Sequence, residues 1–162
     1  MNLVSAPARL DAWVGFLRSH AAITRQLNAD LLAEHGLTLN DYEVLLHLSR
    51  ADDRMMRRVD LAASVLLTAS GITRLLDGLE QGGFVEKVRC PSDARVSYAR
   101  LTAAGMAKLR DASTTHLAGV DELFNAQFSE DELVTLTDLL GRLPTTGAEC
   151  PDVRRAACGP DA

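Results

Sequence analysis

The chain is predicted to be mainly α with a small β-wing: a winged helix-turn-helix carrying N- and C-terminal dimerisation helices. Three observations predict this. A short helix and a second helix flank a tight turn at Leu67-Thr68. A Gly-Gly stop then leads into a strand, a polar hairpin and a second strand. Long stretches with apolar residues at helical spacing lie on both sides of that unit.

Arg9 to His35 reads as one helix, with Leu10, Val14, Leu17, Ala21, Leu27, Leu31 and Leu32 at helical spacing and Gly36 as the stop. Thr38 to Asp41 reads as a capping box opening a second helix to about Ser49. Ala51 to Arg54 is a polar turn, and Met55 to Arg57 a short strand. The third helix covers Val59 to Leu66, and Thr68 caps a fourth over Ala69 to Gln81. Phe84 to Cys90 and Val96 to Leu101 are strands joined by a hairpin over Pro91 to Arg95. A long helix follows over Thr102 to Gln127. Ser129 to Glu132 is a second capping box, and the last helix runs to Leu143, before Pro144.

These elements group into a single domain over 1–144, with a winged unit at about 52–101 and dimerisation helices at about 9–35 and 103–143. The small, polar, Gly/Pro-containing segment 145–162 reads as a disordered tail. A small winged unit cannot cover all the leucine-rich surface of the end helices, so a homodimer is expected.

The chain has 162 residues and a net charge of −5, which at first argues against nucleic acid. The distribution reverses that argument. From Arg54 to Leu101 there are eight Lys/Arg against five Asp/Glu, or +3, whereas the rest of the chain is −8. No apolar run approaches the ~20 residues of a membrane span, and the start reads as no signal peptide. A cytoplasmic protein without membrane contact is expected. Three cysteines, Cys90, Cys150 and Cys158, make no disulfide framework and read as free thiols.

The positive segment presents Thr68, Ser70, Thr73 and Arg74 at and just inside the start of one helix. Hydroxyls there can reach phosphates, helped by the helix dipole, and an arginine can pair with a guanine edge. Lys87 and Arg89 flank the hairpin as phosphate contacts. Arg95 at its tip suits a narrow minor groove. Asp93 repels phosphate unless it pairs with an arginine, Arg95 or Arg74, and fixes the hairpin. Arg57 and Arg58 stand just before the third helix, within reach of phosphate. Plainer readings stand beside these: Thr68 as only a cap, the arginines and Lys87 as solvated charges, Asp93 as a turn residue.

The same segment resembles the MarR family of bacterial transcriptional regulators. The resemblance is carried by Ile72-Thr73-Arg74-Leu75-Leu76-Asp77-Gly78-Leu79-Glu80, Gly83-Phe84-Val85-Glu86, Asp93-Ala94-Arg95 and Leu101-Thr102-Ala103-Ala104-Gly105. The flanking helices agree in number and length, so it covers about Arg9 to Leu143. Ala94 departs from the pattern, because many members have a second basic residue there. The resemblance implies a homodimer on double-stranded DNA, usually a repressor, which a small and often phenolic or aromatic effector releases.

Trp13, His20, Tyr42 and His47 are candidate effector contacts, since an aromatic wall with a few polar groups suits a phenol. The plainer reading places them in the core. No pair among His20, His35, His47 and His116 has the spacing of a helical metal site and there is no CxxC, so no metal is assigned. A metal- or redox-responsive regulator of the same fold, and a winged protein-interaction module that does not bind DNA, are the alternatives. No Gly-rich cofactor turn or nucleophile–base pair can be placed, which argues against an enzyme or a cofactor.

Overall fold

The computed structural model describes residues 7–65, 67–89 and 97–144. Helix α1 (Pro7–His35) is followed by α2 (Leu39–Arg50), strand β1 (Met55–Arg57), α3 (Arg58–Ser64) and α4 (Ala69–Gln81). Strands β2 (Val85–Arg89) and β3 (Ser97–Leu101), then α5 (Ala103–Leu123) and α6 (Glu130–Leu140), complete the chain. The sheet is antiparallel in the order β1-β3-β2, with Met56 opposite Ala99 and Lys87 opposite Ala99 on its other side.

Caps set most boundaries. Thr38 Oγ1 accepts from the Asp41 N–H, and the Asp41 carboxylate accepts from the Thr38 N–H at 2.8 Å, closing the expected box. Ser129 and Glu132 repeat it on α6, where the Ser129 N–H and Oγ hold the Glu132 carboxyl below its ordinary pKa. Gly36, at φ +64°, turns the chain out of α1 in a conformation that glycine adopts without a Cβ penalty.

Three helices end before expectation. Helix α5 ends at Leu123 rather than Gln127, because Phe124 leaves the helical region and Asn125–Gln127 tightens into a 3₁₀ turn. Phe124 and Phe128 pack across that break, with ring centroids 5.5 Å apart. Helix α6 stops at Leu140, capped by Gly141, three residues short of Leu143. Helix α3 ends at Ser64, where the Val65 N–H turns back to the Leu61 carbonyl.

The core joins one face of every central element. Leu31, Val44, Leu45, Leu48, Leu61, Leu76 and Ala112 are fully or almost fully buried. The end helices behave differently. Helix α1 is about 44 Å long at 1.5 Å per residue, yet its buried positions are Leu27 and Leu31 in its last third. Leu10, Trp13, Phe16 and Leu17 stand exposed, as do Leu117 on α5, Phe128 just before α6, and Val134, Leu139 and Leu140 on α6. No single helix among the described residues is long and apolar enough to cross a membrane.

Candidate nucleic-acid interface

Helix α4 is anchored by one face and presents the other. Ile72, Leu76 and Leu79 recur at i, i+4 and i+7 and are buried, each worth about 1.5–3 kcal/mol of transfer free energy. That fixes the helix's rotation, so Ser70, Thr73, Arg74 and Asp77 face solvent. The turn before it is pinned by the Leu67 N–H, which donates to the Ala62 carbonyl at 2.9 Å. Thr68 Oγ1 then accepts from the Gly71 N–H at 3.1 Å and lies 3.2 Å from Ser70 Oγ. One proton of that hydroxyl pair is free to point outward.

Thr73 is placed differently. Its hydroxyl donates back to the Ala69 carbonyl at 2.8 Å, so its proton is committed within the helix until the side chain rotates. Arg74 has no ion pair among the described residues. Its guanidinium is exposed on the outward face of the helix.

At the C-terminal end, Gly82 caps α4 and Gly83 adopts φ +72°. The Phe84 N–H returns to the Leu79 carbonyl at 2.9 Å, and the chain enters β2. Lys87 and Arg89 alternate with Glu86 and Val88 along β2 and are exposed on one side. Arg100 is neutralised across the strands by Glu86 at 3.2 Å. With that pair set aside, the exposed cations among the described residues of the wing are Lys87 and Arg89, and α4 contributes the single cation Arg74. Asp93, Arg95 and Cys90 lie outside the described residues, as do Cys150 and Cys158.

The four candidate effector residues do not form one cluster. Trp13 and His20 stand on the exposed face of α1, linked through Phe16 by ring centroids at 6.2 and 6.4 Å. Sequence reading missed Phe16, although its i, i+3, i+7 spacing from Trp13 to His20 is helical. Tyr42 is buried, 4.4 Å from the His116 ring and with its hydroxyl 3.3 Å from Ser113 Oγ. His47 is half-buried, and desolvation, with Arg50 nearby, lowers its pKa from the ordinary value.

Two cavities stand out. One of about 680 Å³ separates α1 from α5 and is walled by Asp30, Glu34, Glu122 and Thr115. Beside it His35 bridges the helices, its Nδ1 3.2 Å from the Asp111 carboxylate and its Nε2 2.8 Å from Thr115 Oγ1. No group of three or more His, Cys, Asp or Glu among the described residues is arranged to hold a metal. The other cavity, about 510 Å³, lies between the β1–α3 corner, the start of α4 and the root of β3.

With this geometry in place, comparison with known proteins is specific. A family model described as MarR family matches residues 35–96. The HTH-type transcriptional regulator MhqR of Bacillus subtilis (strain 168) is 28% identical over 134 residues, 83% of this chain and 90% of that protein. AbsC, a MarR family transcriptional regulator from Streptomyces coelicolor, is 30% identical. It superposes with a TM-score of 0.78 over 86% of this chain and 93% of its own. A mutant MarR from E. coli complexed with operator DNA is 25% identical, with a TM-score of 0.71 over 89% of this chain and 100% of that one.

Proposed function

This chain belongs to the MarR family, and from that premise we propose that it is a homodimeric repressor that binds a pseudo-palindromic operator and is released by a small phenolic or aromatic effector. Members of the family are DNA-binding transcriptional regulators and not enzymes. The relative crystallised with operator DNA supports DNA as the partner of this chain.

The observation that carries this reading is the outward face of α4. Exposed Arg74, with no ion pair among the described residues, shares that face with Ser70, and Thr68 caps the same helix, whose other face is locked in the core. Arg74 reads a base edge in the major groove, and the hydroxyls hold phosphate. Lys87, Arg89, Asp93 and Arg95 place the wing along the adjacent backbone. The exposed apolar rows of α1 and α6 meet those of a second copy. Two α4 helices then sit about 34–36 Å apart, one DNA turn.

Release follows from differential affinity. A dimer with α4 helices at DNA-competent and incompetent separations shifts toward the second when an effector binds that state better. Trp13 and His20 offer it an aromatic row on α1. Tyr42 and His47 on α2 are a second, separate candidate place for it. The protein acts in the cytoplasm, where its operator is.

The test is fluorescence anisotropy with the duplex upstream of the protein's own gene and a scrambled duplex, across a salt series. Tight binding to the native duplex alone, falling steeply with salt, is expected. Equal, weak binding to both would overturn the reading.

A further inference from the structure

His35 ends α1 at the joint with α2 and α5. The Gly36 turn leads from it into α2, and α5 lies against its ring. The side chain is 8% exposed, so its ring nitrogens bond within the protein or hardly at all. Nδ1 lies 3.2 Å from the Asp111 carboxylate, at ion-pair distance, and Nε2 lies 2.8 Å from Thr115 Oγ1. Thr115 in turn donates to the Glu34 carboxylate at 2.6 Å.

The protons of this network can be counted. An ionised carboxylate only accepts. The Thr115 hydroxyl proton is committed to Glu34, so its oxygen accepts from Nε2. Both ring nitrogens therefore face acceptors, and only the imidazolium carries a proton on each. A neutral ring has one N–H. With that proton on Nε2, a lone pair is set against Asp111. With it on Nδ1, Nε2 must take the Thr115 proton, and Glu34 is released. Either way one tie between α1 and α5 is lost.

Glu34 on α1 and Asp111 on α5 are the carboxylates within 4.0 Å of the ring nitrogens among the described residues. Helix α2, also packed on α1, offers the ring no hydrogen bond or ion pair there, and its Asp41 is held by Thr38. Both carboxylates are largely exposed, so these contacts act on the joint and not on the whole fold.

We propose that His35 is a proton-operated latch between α1 and α5. As pH falls through the range in which imidazoles charge, about 5–8, the ring holds every tie at once, and as pH rises one opens. A closed latch holds the winged lobe at one angle to the dimerisation helices, which lowers the cost of ordering two lobes on one operator. That consequence rests on the DNA-binding reading above, whereas the latch itself does not.

Proton–nitrogen correlation NMR of the DNA-free protein, titrated from about pH 8 to about pH 5, reads the ring protons directly. Both His35 nitrogens should be protonated at the acid end. Hydrogen exchange in the last turn of α1, corrected for the intrinsic rate at each pH, should slow about fivefold over the same range, the worth of one ordinary hydrogen bond. His35→Gln identifies the signal and should abolish the change in exchange. Asp111→Ala, at an exposed position, should reduce it, and thermal melts confirm that both variants fold. Operator affinity, read by anisotropy, should rise toward the acid end by no more than the same factor. His20, His47 and His116 supply a background common to all three proteins, so the part lost in both variants belongs to the latch. A His35 ring whose proton count does not change over this range, or one that titrates with exchange in the turn unaltered, would overturn the latch. A pH dependence of operator affinity that survives both substitutions would overturn its coupling to DNA. The expected change in exchange without operator binding at any pH would overturn the regulator reading and leave the latch standing.

Discussion

Gly105 packs directly beneath the Phe84 carbonyl: a Cβ at position 105 would fall deep inside the van der Waals radius of that oxygen and 2.7 Å from Leu101 Cδ1. The contact is where α5 is clamped to the entry of β2. Thr102 caps α5 through the Gly105 N–H at 3.0 Å, and its own N–H donates to the Phe84 carbonyl at 3.1 Å. Its hydroxyl also donates to the Gly83 carbonyl at 2.7 Å. Gly105→Ala is expected to destabilise the protein by about 3 kcal/mol, the upper part of the overpacking range, because the obstacle is backbone and cannot rotate away. A urea melt checks this. A loss below about 0.5 kcal/mol, the scale of an ordinary surface change, would mean that the β2–α5 junction is looser than described.

Arg74→Ala removes an exposed side chain with no intramolecular ion pair among the described residues. Its folding stability should stay within about 0.5 kcal/mol of wild type. Its affinity for the native duplex should fall by about 1–3 kcal/mol, with specificity relaxed at one base position of each half-site. Affinity on that duplex equal to wild type would remove Arg74 from the reading contacts.

Thr68 tests whether capping and DNA contact can be separated. Thr68→Ala loses the bond from the Gly71 N–H and should cost about 1 kcal/mol of stability. Thr68→Ser keeps a hydroxyl in place and should restore both stability and DNA affinity. Full stability with weakened DNA binding in Thr68→Ala would make the hydroxyl a contact first and a cap second.

The elements of the winged unit were legible because their signals are local. Thr68 and Thr38 are caps whose partners lie three residues away, and Ile72, Leu76 and Leu79 declare a buried face by spacing alone. The break at Phe124 was not legible, because 103–127 keeps an unbroken helical pattern and the break is accompanied by a tilted ring contact of Phe124 with Phe128. The approach of Arg58 to Ser97 was also hidden. Arg58 and Ser97 are 39 positions apart, and only the pairing of β1 with β3 brings them together. Tyr42 fits an effector pocket and a core equally well in sequence. Its burial depends on His116 and Ser113 arriving from α5.

Burial beside Tyr42 lowers the His116 pKa, and His47 is lowered by its own desolvation and by Arg50. A histidine held below its ordinary value of 6.5 is neutral in the fold while the unfolded chain takes up a proton. Stability is therefore full above about pH 6.5 and falls as pH drops through the lowered values. Glu43 acts in the opposite sense, because burial raises its pKa and the fold gains by protonating it. The melting temperature should be lower at about pH 5.5 than at pH 7.5, and His116→Phe, which retains a ring against Tyr42, should narrow that gap. An unchanged gap in His116→Phe would assign the acid sensitivity to His47 or elsewhere.

Trp13 is 56% exposed in the single chain and is the only tryptophan, so its emission reports directly on what covers α1. It begins a row with Phe16 and His20, next to exposed Leu10 and Leu17. A contiguous apolar face of this kind is uncommon on a monomer. In the proposed dimer the row is buried, so concentrated protein should emit to the blue of protein diluted below its dissociation constant. Phe16→Asp places a carboxylate in that contact while leaving the reporter intact. It should sediment as a monomer with red-shifted emission. Because each α4 would then meet its half-site alone, operator affinity should fall by about 10²–10⁴, the advantage that linkage of two sites confers. A dimeric Phe16→Asp with unshifted emission would move the dimer contact to α6.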